Sequence, residues 1–300
     1  MIDLHLHTTA SDGRLTPAQL VARVAAAGIT TMSVTDHDTV AALAAVGVEA
    51  AARGIRLVPG IEITSVAEQR DVHLLGYFFD PTSPPLLTFL EGQRAQRVAR
   101  VREIGARLAG LNMPIDVEAL VTTAATRPGT SVGRPQVARA LVEAGHVASV
   151  AEAFERWLAT GLPAFVPRTG PSPATVVAAI HAAGGIASFA HPAVTRRDAL
   201  IAPLAEQGLD AIEVYHSDHM PEDVQLYRGL AQRLGVLVSG GSDFHGDPST
   251  HPGDLQRASP PGSLRAGAPS RSHRNTLGAI LLPPDDLAAL ERHAAARRPS

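Results

Sequence analysis

Seven hydrophobic runs in this chain end in a histidine or a carboxylate. They close at His5-Leu6-His7, Asp36-His37, Glu62, His73, His191, Glu213-Val214-Tyr215-His216 and Asp243-Phe244-His245. Imidazole nitrogens and carboxylate oxygens are donors that divalent manganese, zinc and iron accept, and the chain has no cysteine to offer thiolate. Side chains two apart on a strand share a face, so His5 and His7 project together. Asp12 follows in the loop Thr8-Thr9-Ala10-Ser11-Asp12-Gly13, where Gly13 lets the chain turn back. The candidate metal ligands are therefore His5, His7, Asp12, His37, Glu62, His73, His191, Asp243 and His245. That set exceeds what one ion takes from protein, so two or three divalent ions are expected, with manganese as the leading choice and zinc or iron as alternatives. Water on such ions is acidified from a pKa of about 15.7 toward roughly 7, giving hydroxide at neutral pH. The ions would also outweigh the carboxylates in charge and attract a phosphate dianion. Hydrolysis of a phosphate ester, by metal-bound hydroxide attacking phosphorus, is the chemistry this combination favours.

Each residue alone has a plainer explanation. His37 could be a hydrogen-bonded loop residue, and Glu62 a salt-bridged core carboxylate. Together, buried groups at this density are costly unless something pairs with them. Asp36 is left open between a bystander and a residue that orients a ligand histidine.

The elements that must position these ends follow from pattern. Thr16-Pro17 opens a helix that Gly28 closes, and 30–36 is the next strand. Asp38 or Thr39 is expected to cap a helix running through Arg53, before strand 56–64. This alternation predicts a largely parallel sheet closed as a barrel, with site residues at the strands' carboxyl ends. Segment 71–79 follows too soon for a helical crossover, so antiparallel pairing with its predecessor is expected. A long arginine-studded helix spans 86–109. Short helices at 116–124, 134–144 and 149–159, broken at Arg127-Pro128-Gly129, read as an insertion across the barrel mouth. Helix 173–183, strand 186–190, helix 197–207, strand 210–215, helix 221–234 and strand 236–239 complete the barrel. Residues 246–275 read as a mobile loop, and 284–296 as an outer helix. The expected organisation is a barrel of 1–110 and 169–248, an insertion of 111–168, and an irregular loop with a C-terminal helix over 249–300.

The 300 residues are 45% hydrophobic with a formal net charge of −3, enough for a sizeable core and unlike a broad nucleic-acid-coating surface. No apolar run reaches the roughly 18 residues of a membrane span. Ligands beginning at His5 leave no room for a cleaved leader, so cytoplasmic residence is expected, with no obligatory protein partner.

The motifs His5-Leu6-His7-Thr8-Thr9-Ala10-Ser11-Asp12-Gly13, Thr35-Asp36-His37-Asp38, Gly60-Ile61-Glu62 and Ser242-Asp243-Phe244-His245 together resemble the polymerase-and-histidinol-phosphatase (PHP) family, over nearly the whole chain up to His245. The resemblance implies a distorted (β/α)7 barrel with a trinuclear centre. By it, His5, His7, Glu62 and Asp243 would hold one ion, Glu62, His73 and His191 a second, and Asp12, His37 and His245 a third. Within the insertion, Gly133-Arg134-Pro135-Gln136 is similar to the Gly-Arg-Pro-His motif of 3′,5′-nucleoside bisphosphate phosphatases and 5′-to-3′ short-RNA exonucleases, with glutamine in place of histidine. Arg134 at a helix start suits a phosphate clamp, or else a surface arginine capping its own helix. Arg168 is a second phosphate candidate, and His216 is expected to contact phosphate or protonate the leaving oxygen. His219 is expected on an exposed loop. His146, His181, His251, His273 and His293 are read as structural or solvent-facing. The expected substrate is a nucleoside 3′,5′-bisphosphate or short 5′-phosphorylated RNA. Histidinol phosphate and a non-catalytic metal-binding module are the alternatives.

Overall fold

Strand β1 (Ile2–Leu6) is buried along its whole length and runs into α1 (Pro17–Ala26). Thr16 caps α1 by accepting from the Gln19 amide, and Pro17 occupies the first turn, as the sequence marks. The computed structural model describes residues 1–126, 131–246 and 277–297. The break at Arg127-Pro128-Gly129, the loop of 247–275, His251 and His273 lie outside the described residues.

β2 (Thr31–Val34) leads to α2 (Leu43–Ala51). This helix starts later than expected, without a side-chain cap. Asp38 is taken by tertiary partners and accepts from the Thr64 amide at 2.9 Å, while Thr39 accepts from the Ala41 amide at 3.1 Å.

β3 (Arg56–Ala67) and β4 (Arg70–Tyr77) pair antiparallel. Glu68 and Gln69 form the turn, with φ of 48° and 62°, the left-handed pair that a two-residue hairpin turn favours. Thr64 lies opposite His73 in this register. Glu62, two residues before Thr64, is therefore a diagonal neighbour of His73 on one face.

α3 (Pro84–Gly110) carries the chain away from the sheet. Beyond it come α4 (Val117–Ala125), α5 (Arg134–Glu143), α6 (Val150–Ala153) and a π-helical turn at Phe154–Leu158. These pack on the second half of α3 around a separate core that includes Val101, Ile104, Leu108, Val137, Leu141 and Leu158. The insertion thus shares its core with α3 instead of starting after it.

α7 (Pro173–Ala182), β5 (Ile186–Phe189), α8 (Pro192–Thr195), α9 (Ile201–Glu206), β6 (Ala211–His216), α10 (Pro221–Leu234) and β7 (Leu237–Gly241) restore the rhythm. Where one helix was expected over 197–207, a 3-10 turn at Asp198–Leu200 runs into α9. α11 (Pro284–Arg297) joins the main core through Leu287, Leu290 and Ala294. The seven strands pair in chain order, parallel except at β3–β4 and β4–β5. Leu6 bridges Phe244 in parallel, and the His7 amide donates to the Phe244 carbonyl at 3.0 Å, which brings the last strand's end beside the first. The result is a distorted (β/α)7 barrel.

That approach depends on Gly241, where a Cβ would lie 2.3 Å from the His5 nitrogen and 2.4 Å from the His5 Cβ. Gly241→Ala should cost about 3 kcal/mol, the upper end for overpacking. Urea unfolding measures it, and a loss below about 0.5 kcal/mol would place the mutation among ordinary surface changes.

Candidate active site

Glu62 is the hub. Its carboxylate is 2.7 Å from His73 Nδ1, 3.0 Å from His191 Nε2, 3.2 Å from His37 Nδ1, 3.3 Å from His7 Nε2 and 3.4 Å from His5 Nε2. Asp243 lies 3.1 Å from His7 Nε2, 3.3 Å from His5 Nε2 and 3.5 Å from His245 Nδ1. Asp12 lies 3.1 Å from His245 Nε2 and 3.8 Å from His37 Nε2. The nine residues singled out as ligands therefore converge, from the ends of β1, β2, β5 and β7, from the middle of β3 and β4, and from the loop after β1. Gly13 allows that loop to fold back, since a Cβ there would meet the His7 carbonyl at 2.6 Å.

The donor set fits divalent ions. Among the described residues four groups have ligand atoms all within 4.8 Å of one another: His5, His7, Glu62 and Asp243; His7, Asp12, His37 and His245; His37, Glu62 and His73; and His5, Glu213 and His216. Both ring nitrogens of His7, and Nδ1 of His37 and of His73, are buried without a well-formed hydrogen bond. A cation would satisfy such lone pairs. The charge balance agrees. Burial would raise Asp12, Glu62 and Asp243, yet the imidazoles around them hold all three well below the usual carboxylate range. Burial opposes a charge on His7, but the close carboxylates of Asp243, Glu62 and Asp12 push it up to about 10. Burial holds His37 down at about 3, so its ring is neutral and ready to ligate.

Supporting residues fix the ligands. Glu213 Oε1 is 2.8 Å from His5 Nδ1, and Glu213 Oε2 accepts from the His191 amide at 2.7 Å. Asp3 accepts from the amides of His5 (3.2 Å) and Ser242 (2.9 Å), tying β1 to the segment that carries Asp243. Asp36 takes the Thr8 amide at 2.8 Å and the hydroxyls of Thr8 and Ser11 at 2.6 Å each. It anchors the Asp12 loop, not a histidine ring. His191 and Asp243 themselves hold φ of 28° and 55°, strained conformations that the surrounding fold imposes at the site.

His216 is only 2 % exposed. The Asp218 amide donates to its Nδ1 at 3.0 Å, and its Nε2 lies 3.4 Å from Asp243 Oδ2. His219 is not on an exposed loop: at 9 % exposure it packs between His216 and Tyr227, with Nδ1 2.8 Å from the Val214 carbonyl oxygen. His146 Nε2 lies 2.8 Å from the Pro114 carbonyl oxygen, while His181 and His293 bracket Asp210 at 2.7 and 2.8 Å.

Sequence reasoning passed over Glu213, Asp3, Arg97 and Arg100. The signal for Glu213 was an acid between Ile212 and Val214 inside a buried strand. Glu213→Gln keeps the shape but weakens the grip on His5, and should lower metal affinity by about 10- to 100-fold. Metal titration of the chelated protein measures this. Unchanged affinity would reduce Glu213 to a core residue.

Beside the cage opens a cavity of about 150 Å³. Asp12, His37 and His73 line it together with Arg97, Arg100, Arg134, Arg168 and Gln136. Arg97 pairs with Asp38 at 2.5 Å, and Arg134 with Asp71 at 3.2 Å. Arg168 stands 3.8 Å from Asp38, and Arg100 3.8 Å from Asp71. Four guanidiniums against the carboxylates of Asp12, Asp38 and Asp71 leave an excess of positive charge on this side. Burial and the neighbouring Arg97 push Arg168 down to about 9, against the opposing pull of Asp38 and Asp71.

A barrel whose strand ends gather nitrogen and oxygen donors beside an arginine-lined cavity is built as a metal-dependent hydrolase of anionic esters. Residues 3–157 match the PHP domain family. The chain is 37% identical over 250 residues to the 5′-3′ exoribonuclease Rnm of Escherichia coli, covering 81% of this chain and 84% of that protein. It is 33% identical over 249 residues to the 3′,5′-nucleoside bisphosphate phosphatase of Chromobacterium violaceum, covering 81% and 87%. A crystal structure described as a metal-dependent phosphoesterase from Bifidobacterium adolescentis superposes with a TM-score of 0.81 at 30% identity, covering 100% of this chain and 96% of that one. The chain belongs to the PHP family. It is a metal-dependent phosphoesterase, and among the described residues no helix is long and apolar enough to cross a membrane.

Proposed function

We propose that this enzyme removes the 3′-phosphate of nucleoside 3′,5′-bisphosphates and trims short 5′-phosphorylated oligoribonucleotides. The observation that carries the reading is the shared cavity, bordered by metal donors and by four arginines. A substrate with a scissile phosphate at the cage and a second, retained phosphate among the guanidiniums matches both borders. The names of the two relatives, an exoribonuclease and a bisphosphate phosphatase, support the same substrate class.

Two or three ions, manganese in the first instance, would be held by His5, His7, Glu62 and Asp243, by Glu62, His73 and His191, and by Asp12, His37 and His245. When bound they supply charge compensation at phosphate and lower the pKa of water. The chain's own residues do the rest. Arg134, with Arg97, Arg100 and Arg168, seats the retained phosphate. His216, buried with Nε2 3.4 Å from Asp243 Oδ2, would steady that carboxylate and is the imidazole we assign to contact the scissile phosphate or protonate its leaving oxygen.

The test is a panel of adenosine 3′,5′-bisphosphate, adenosine 3′-monophosphate, histidinol phosphate, and di- to pentanucleotides with and without a 5′-phosphate, all with added manganese. A 5′-phosphate should raise kcat/KM by about 100-fold, the worth of two charge-assisted hydrogen bonds. Equal rates with and without it, or a preference for histidinol phosphate, would refute the assignment. No hydrolysis of any member would favour a metal-binding module without this activity.

A further inference from the structure

The loop that carries Asp12 is held from two sides. On the barrel side Asp36 takes the Thr8 amide and the Thr8 and Ser11 hydroxyls. On the insertion side Gln136 Nε2 donates to the Ser11 carbonyl at 2.6 Å, Arg139 donates to the Asp12 carbonyl at 2.7 Å, and the Ser131 amide donates to the Ala10 carbonyl at 2.9 Å. The other end of Gln136 accepts from the Gly133 amide at 2.9 Å. Gly133 immediately precedes Arg134, the first residue of α5. One side chain therefore spans from the helix start that presents Arg134 to the backbone next to Asp12, and all three line the same cavity.

We propose that Gln136 is a positioning residue that couples the arginine side of the cavity to Asp12, so that a retained 5′-phosphate and the ion held by Asp12, His37 and His245 tighten one another. The coupling rests on the reading of the arginines as a phosphate seat. A carboxamide suits the task because it presents a donor and an acceptor in fixed directions and carries no charge. It neither repels the phosphate nor competes with Asp12 for an ion. Coupling of this kind is reciprocal, so whatever phosphate does for the ion, the ion does for phosphate.

Gln136→Glu separates the two ends of the bridge. Glutamate still accepts from the Gly133 amide, as acids do at the third position of a helix, but has no N–H for the Ser11 carbonyl. Manganese would be titrated calorimetrically into chelated full-length wild type and variant, with and without adenosine 5′-monophosphate. The weakest manganese step should be about 10-fold weaker in the variant, with the tighter steps and the thermal melt unchanged. The nucleotide should tighten that step in wild type and in neither Gln136→Glu nor Gln136→Ala, the alanine adding no charge that could itself repel the nucleotide. Gln136→Ala, which loses both ends, should repeat the manganese result and also melt earlier. Superimposable manganese isotherms for wild type and both variants would overturn the proposal, as would full nucleotide-dependent tightening in Gln136→Glu. Failure of the nucleotide to bind wild type would instead strike the phosphate seat and with it the coupling, while the manganese comparison alone still decides whether Gln136 sets Asp12.

Discussion

Glu62→Gln should lower kcat by about 1,000-fold or more with manganese present, and should reduce bound metal by at least one ion per chain. The size of the effect follows from position. Glu62 stands within 3.4 Å of five imidazoles, those of His5, His7, His37, His73 and His191, so its two oxygens serve more than one group of donors. An amide keeps the volume but loses the charge, and it replaces one acceptor with an N–H pair that repels a cation. The protein should still fold, because the β3–β4 hairpin holds Glu62 through backbone pairing. Elemental analysis after gel filtration, alongside steady-state rates, reads both outcomes. A variant with full metal content and kcat within about 10-fold of wild type would show that Glu62 bridges nothing.

Much of this cage was legible because strand geometry converts spacing into direction. His5 and His7 share a face by alternation, and the short link before His73 forced a hairpin that sets it diagonal to Glu62. What stayed hidden depended on contacts distant in sequence. Glu213 earns its role only by meeting His5, 208 positions away. Arg97 and Arg100 lie on the long arginine-studded helix, where nothing local tells them from its other arginines; only the packing of the insertion turns them into cavity wall. Asp38 carries the local signature of a helix cap, but Arg97 and the Thr64 amide outbid the helix for its carboxylate. His219 follows polar residues that suggest exposure, whereas Tyr227 on the next helix covers its ring.

Arg134→Ala should raise KM for adenosine 3′,5′-bisphosphate by about 100-fold and leave a substrate without the 5′-phosphate nearly unaffected. The guanidinium is fixed before any substrate arrives: it reaches Asp71 at 3.2 Å and the Leu158 carbonyl at 3.4 Å, and stacks over the Phe165 ring at 5.9 Å. A planar fork held in this way loses little freedom on meeting phosphate. A phosphate retained in the proposed arginine seat would be bound equally before and during the chemical step, so the loss should fall on KM with kcat nearly constant. Arg134→Lys should recover little, since an ammonium cannot reproduce both the fork and the stacking. Gln136 continues to cap the start of α5 in either variant, so the thermal melt should change little. Steady-state kinetics on the paired substrates decide the matter. If both lose activity equally, Arg134 supports the insertion and does not hold the second phosphate.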